Sequence, residues 1–132
     1  DGMGLLSLHK ACDCLVIPTR ECSINEHALM SILFGNRVLC TKNINLESLL
    51  GPMASYIDSI ETVSQNNNPQ SSSYKLWNDP LILDLQNRLR HEYELGKTKR
   101  SLQQSRLFLI QNNSHEVIVD RIKNAIDTIN NK

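Results

Sequence analysis

Two short apolar runs, Cys14-Leu-Val-Ile17 and Val38-Leu-Cys-Thr41, constrain this chain more than any other feature. Neither alternates with polar residues, and Pro18 stops the first. A continuous run of this length reads as a strand buried on both faces of a parallel sheet. Parallel strands need a crossover, and the residues between the runs supply one. Ala28, Leu29, Ile32 and Leu33 form a helical stripe, and Gly35 follows it as a C′ residue would. Ser23-Ile-Asn-Glu26 fits a capping box, so the helix is expected to open with the Ser23 hydroxyl accepting from the Glu26 amide.

The flanks extend the same rhythm. Leu5, Leu6, Leu8 and Ala11 recur at helical spacing and predict a short amphipathic helix ending before Asp13, with His9 on its surface. Asn43 to Leu50 reads as a loop and short helix ending at Gly51-Pro52, and Ala54-Ser-Tyr-Ile57 as a weak third strand. Strand and helix in alternation indicate an α/β layer with right-handed parallel crossovers. Ser64 to Ser73 is polar and low in complexity, a surface loop. Beyond it the chain reads as helical. Asp79-Pro80 is expected to supply an N-cap and an N1 proline, and Leu81, Leu85, Leu89 and Tyr93 continue at four-residue steps. Gly96 breaks this helix, a second runs from Leu102 to Ile110, and a third from Val117 to Ile129 with Ser114 as its cap. The organisation is βα units over 1–63, a loop over 64–73 and helices of the same domain over 74–132.

Composition narrows the function classes. The 132 residues amount to one domain or part of one. With 14 Lys+Arg against 14 Asp+Glu and net charge +0, electrostatic binding of nucleic acid is a poor expectation. Six basic residues do gather between Arg88 and Arg106 against only Glu92 and Glu94, which reads as a solvated helix face, too diluted to claim a membrane surface. No apolar run approaches the roughly 18 residues of a membrane span. The cysteines at 12, 14, 22 and 40 lack the paired C-x2-C turns of a zinc site, so no metal is expected and the thiols read as reduced and cytosolic.

In an open parallel sheet, ligands bind beyond the carboxyl ends of the strands, where loops lead into helix N-termini. Residues 18–26 form such a turn, whose amides around Ile24 to Glu26 could hold a phosphate or sugar oxygen. Glu26 already brings negative charge to that terminus, which weakens the anion reading. A Cys22–His27 nucleophile pair finds no third group, and Asp13 lies at the wrong end of its strand for a phosphoacceptor. Neither a Walker sequence nor G-x-G-x-x-G occurs.

The run Leu8-His-Lys-Ala-Cys-Asp-Cys-Leu-Val-Ile-Pro-Thr-Arg20, continued by Gly35-Asn-Arg-Val-Leu-Cys-Thr41, resembles the C-terminal half of a retaining GT-B glycosyltransferase of the group 1 type. There a helix ending in "aD" leads to an apolar strand, then "PSR", a turn, a helix and "G.PVI.T". Leu76-Trp-Asn-Asp-Pro80 with Leu85, Leu89, Arg90 and Tyr93 is similar to the family's "W.eP…L…mr..y", and Val117, Ile122 and Ile126 to its C-terminal "v...i...l".

The resemblance implies a Rossmann-like sheet, here a partial GT-B C-terminal domain followed by helices, in a cytoplasmic enzyme with no metal cofactor. It implies hexosyl transfer from a nucleotide sugar such as a UDP- or GDP-sugar. The family's E-x7-E signature falls on Cys22 and Met30, neither an acid, with Glu21 one residue from the first position. By carry-over, Glu21 and Cys22 are the candidate catalytic positions. Arg20, Ser23, Ile24, Asn25, Glu26 and Met30 are the candidate donor-binding ones. Arg37 stands where the family has proline. The degenerate signature also fits a noncatalytic glycosyltransferase-like domain that supports a partner. The implied partners are the nucleotide sugar and an N-terminal GT-B domain or partner subunit, with no nucleic acid and room for peripheral membrane contact. A complete GT-B enzyme has two Rossmann-like domains, so activity is expected to require residues outside this chain.

Overall fold

The computed structural model describes residues 2–20, 25–64, 75–95 and 102–130. It is a mixed α/β structure. In chain order the elements are α1 (Gly2–Ala11), β1 (Cys14–Ile17), α2 (Glu26–Leu33), β2 (Arg37–Thr41), α3 (Ile44–Leu50), a 3-10 turn (Gly51–Met53), β3 (Ser55–Ile57), β4 (Ser59–Ser64), β5 (Lys75–Pro80), α4 (Ile82–Glu94), α5 (Leu102–Asn113) and α6 (His115–Asn130). The first three strands form a parallel sheet in the order β1-β2-β3, and β4 and β5 an antiparallel ribbon.

Register explains which side chains the sheet buries. Leu15 pairs with Val38 and Ile17 with Cys40, and these four point to the α2 and α3 side. There Ile17, Ala28, Ile32, Val38, Cys40, Leu46, Leu50 and Met53 make one apolar cluster. Cys14 pairs with Arg37 and Val16 with Leu39, on the opposite face, which α4 covers. Thus β2 is buried on both faces, as its unbroken apolar run predicts. By contrast, β1 has its outer edge open among the described residues, and Val16 is 37% exposed.

Caps fix the helix ends. Asn25, not Ser23, is the N-cap of α2: its side chain accepts from the Ala28 amide at 3.0 Å, and Glu26 is the first helical residue instead of the reaching acid of a capping box. An asparagine next to the helix start satisfies an orphan amide as well as a serine would. Ser23 itself lies outside the described residues. Gly35 takes φ +76° and turns the chain into β2, as expected of a C′ glycine. Asn43 caps α3 by accepting from Leu46, and Ser114 caps α6 at 3.4 Å from the Val117 amide.

Three expectations need correction. Asp79-Pro80 does not open a helix; both residues end β5, and Leu81 is the N-cap of α4. Proline is tolerated there because it closes a strand at the edge of a two-stranded ribbon. The leucine stripe of α1 does not face inward: Leu5 and Leu8 are 41% and 59% exposed, while His9 is 6% exposed. Polar contacts hold that helix, with Asn36 Nδ2 donating to the His9 carbonyl at 2.6 Å and His9 Nδ1 2.9 Å from Ser31 Oγ. In α4 Leu81, Leu89 and Tyr93 of the stripe are exposed, Tyr93 at 87%, Leu85 is half-buried, and the buried residue is Glu92. The loop expected over 64–73 falls, beyond Ser64, outside the described residues.

The Glu92 contact explains how α4 turns a polar face to the sheet. Arg37 Nε approaches Glu92 Oε2 to 2.6 Å as an ion pair, off the angle of a hydrogen bond, while Arg37 Nη2 donates to the Glu92 carbonyl at 2.7 Å. Ser55 Oγ donates to the other carboxylate oxygen at 2.8 Å. In the first turn of α4, Asp84 accepts from the Asp58 amide and from Arg88 Nε, each at 2.7 Å. The Arg88 hydrogen bond, then the Asp58 amide, hold the Asp84 carboxyl below its ordinary value. Buried polar groups are tolerated when partnered, so this docking is stable but intolerant of losing one partner.

Candidate functional site

The carboxyl ends of β1, β2 and β3 open to the same side because the strands are parallel. Pro18 and Thr19 leave β1 there, Lys42 leaves β2 and Asp58 leaves β3. The antiparallel ribbon begins at this end and returns to it. Asn78 donates its amide to the Arg20 carbonyl at 2.9 Å, and Leu81 donates to the Asp58 carbonyl at 2.8 Å. Ser59 Oγ donates to the Lys42 carbonyl at 3.0 Å. Hydrogen bonds thus link the ribbon to the three strand ends.

Arg20 is the centre of this junction. Its guanidinium lies 5.0 Å above the centroid of the Trp77 ring and pairs through Nε with Asp79 Oδ1. The other Asp79 oxygen accepts from Thr62 Oγ1 at 3.2 Å. A guanidinium stacked on an indole keeps its charge, and here Asp79 meets that charge while the Arg20 side chain stays 58% exposed. Two hydroxyls next to the junction, Thr19 Oγ1 and Thr41 Oγ1, are buried and have no protein hydrogen-bond partner.

Of the sequence-derived candidates, the structure brings Arg20, Asn25 and Glu26 to the two described ends of the turn that follows β1. Asn25 is committed to capping α2, and Glu26 stands in its first turn. Met30 lies one turn further along the same helix, half-buried, where it can pack but offers a ribose only the weak acceptor of a thioether in place of a carboxylate. Glu21, Cys22, Ser23 and Ile24 lie outside the described residues. Sequence reasoning missed Trp77, Asp79, Thr62 and Lys42 as neighbours of this end. Lys42 could have been found as the residue following an apolar strand. The other three belong to a ribbon whose pairing spans 17 residues, as in the Thr62–Asp79 contact, and no local pattern announces it.

A second group of chemically capable residues lines a cavity of about 340 Å³ beside β1, among them His9, Cys12, Cys14 and His27. The imidazoles of His9 and His27 stack at 6.1 Å. Among the described residues no three His, Cys, Asp or Glu side chains are placed to hold one metal ion. Burial, and then the Glu92 carboxylate, push the Cys14 thiol above its ordinary value despite Arg37, which leaves it a poor nucleophile at neutral pH. Among the described residues no helix is long and apolar enough to cross a membrane. Compared with known protein families, curated proteins and solved structures, the chain matches none of them.

Proposed function

We propose that this chain is the donor-binding part of a glycosyltransferase, holding a nucleotide sugar at the carboxyl ends of β1 to β3 in a Rossmann-like arrangement. The observation that carries this reading is the turn from β1 to α2, which opens from the end of a parallel strand onto a capped helix N-terminus, the place where open α/β sheets bind ligands. The resemblance of residues 8–41 to GT-B sequences points to the same turn. The amides at the start of α2 meet the donor phosphates, with the Arg20–Trp77 stack, its charge partly met by Asp79, standing beside them.

Transfer itself needs a second domain or subunit to carry the acceptor, so residues 1–132 bind donor without turning it over. In this reading Glu21 is assigned the first acid's role by the family carry-over alone. A noncatalytic version of the same domain is favoured by one observation: Met30 occupies the place of the ribose-binding acid, and Glu26 lies one turn away at the opening of α2.

Thermal unfolding with a panel of UDP- and GDP-sugars tests the binding claim. At tenfold excess over the dissociation constant, mass action adds roughly 1.4 kcal/mol, a rise of about 4–6 °C for a domain of this size. No rise with any of them at millimolar concentration overturns the proposal. Turnover by the longer protein or complex separates the catalytic version from the noncatalytic one.

A further inference from the structure

Among residues 4–11 of α1 only His9 is buried, and none of them belongs to the apolar cluster beneath the sheet. The docking of this helix therefore rests on one ionisable side chain and its polar partners. His9 Nδ1 lies 2.9 Å from Ser31 Oγ of α2, and the His9 carbonyl accepts from Asn36 Nδ2. The imidazole stacks with the rings of His27 and Phe34 at 6.1 and 6.2 Å. Its other nitrogen, Nε2, is buried and has no hydrogen-bond partner. Nothing from outside reaches that atom while α1 is docked.

Imidazole chemistry makes this arrangement one-sided. A neutral ring has one donor and one acceptor, and the Ser31 hydroxyl serves either, so Nδ1 is matched in both tautomers. A protonated ring has two N–H donors and a positive charge. Ser31 then accepts from Nδ1, and the Nε2–H is left buried, charged and unmatched, which costs far more than an unmatched neutral atom. The titratable groups that line the cavity beside the ring are Cys12, which follows α1, Cys14 of β1 and His27 of α2. Among the described residues no carboxylate lines that cavity: Asp13 lines the one on the opposite face of the sheet, and Glu26 is exposed in the first turn of α2. The adjacent charge on α1 itself is Lys10, a cation, and a proton on His27 brings another positive charge to 6.1 Å.

We infer that α1 is a pH-sensitive element, released from α2 when His9 takes up a proton, while the sheet beneath it stays folded. The released ring is free in water and binds its proton near the ordinary imidazole value of about 6.5. By linkage the released form gains on the docked one as pH falls below that value. The apolar cluster of Ile17, Ala28, Ile32, Val38, Cys40, Leu46, Leu50 and Met53 keeps all its members when α1 leaves. The inference stands apart from the donor reading, since it uses the packing of α1 on α2 and not the carboxyl ends of the strands.

Amide hydrogen exchange of the 132-residue chain at about pH 7.5 and about pH 5.5 tests it, read as protection factors so that the intrinsic pH dependence of exchange is divided out. The α1 amides should be less protected than those of β2 at both values and should lose about tenfold in protection between them, the change that one imidazole proton brings. His9→Gln is expected to reduce that change to less than about twofold, whereas His27→Gln, at an exposed position, leaves most of it. Constant protection in α1 overturns the inference, as does a loss that persists in His9→Gln. One protection factor shared by α1 and β2 at both values also overturns it, because α1 would then leave only with the whole fold. Should His9→Gln leave α1 unprotected at the higher pH, the parent's own ring decides. The His9 Cε1–H resonance must move over the interval in which α1 loses protection, and a resonance that stays in place overturns the inference.

Discussion

The sheet layer and the last helix bury their apolar residues to opposite degrees. In the layer, Ala28, Ile32, Val38, Leu39, Cys40, Leu46, Leu50 and Ile57 are all 0–1% exposed. In α6, Ile118, Ile122, Ile126 and Ile129 are 45–73% exposed, although their spacing is as regular as that of any buried stripe. The bridge between the two regions is α5, which sets Phe108 and Leu109 against the core and leaves Leu107 and Ile110 outside. Periodicity therefore reports that a helix has an apolar face; it does not report which surface meets that face. A helix this exposed draws little stability from tertiary packing, which is where most helical stability in proteins arises.

Substitutions that probe both regions give this contrast numbers. The largest effect is expected where a charge is buried. Glu92→Ala leaves the Arg37 guanidinium, 11% exposed, without its carboxylate, and the stability measured in urea should fall by about 3–5 kcal/mol. Replacing the pair together, Arg37→Met with Glu92→Leu, should restore most of that loss, because neither charge is then stranded. Recovery by the double variant distinguishes a docking ion pair from a residue needed only for shape.

Next in size is the apolar comparison. Ile32→Ala opens a cavity in a packed cluster and is expected to lower stability by about 2–5 kcal/mol. Ile126→Ala, the same change in chemistry on α6, should stay within about 0.5 kcal/mol. Equal losses at the two sites would mean that α6 is sealed in solution.

The smallest effect concerns pH. Burial, followed by the neighbouring Cys40 and Glu47, pushes the Tyr56 hydroxyl up to about 12 from an ordinary value of 10.0. That hydroxyl donates to the Gly51 carbonyl at 2.7 Å, tying β3 to the end of α3. A raised pKa on an acid means that the folded state keeps a proton the unfolded state releases. Stability is therefore full below pH 10 and declines between about 10 and 12. Tyr56→Phe should flatten this part of the melting-temperature profile while lowering it modestly throughout. An unchanged slope would assign the decline to another group.

How far the fold was legible follows the same division. The two apolar runs, Gly35 after α2 and Ser114 before α6 were readable because each depends on residues within a few positions of one another. His9 was not, since its burial is set by Ser31 and Asn36, 22 and 27 residues away. Nor was the ribbon: Asp79-Pro80 has the local chemistry of a helix start, and only pairing with Ser59 and Ile60 makes it strand. Glu92 looked solvent-facing because an acid in a helix usually is, and Arg37, from a distant strand, reverses that preference. At the candidate site, the turn after β1 was legible as the position where a parallel sheet binds ligands. The stacking of Arg20 on Trp77 was not, being a contact across 57 residues of sequence.

The central claim is that a nucleotide sugar lies at the carboxyl ends of the parallel strands. Amide chemical-shift changes in a nitrogen-15 labelled chain, titrated with UDP- and GDP-sugars, test it residue by residue. Shifts concentrated at Thr19, Arg20, Asn25, Glu26, Lys42 and the Trp77 indole are the predicted result. An unchanged spectrum at millimolar donor, or changes confined to α5 and α6, would contradict the account.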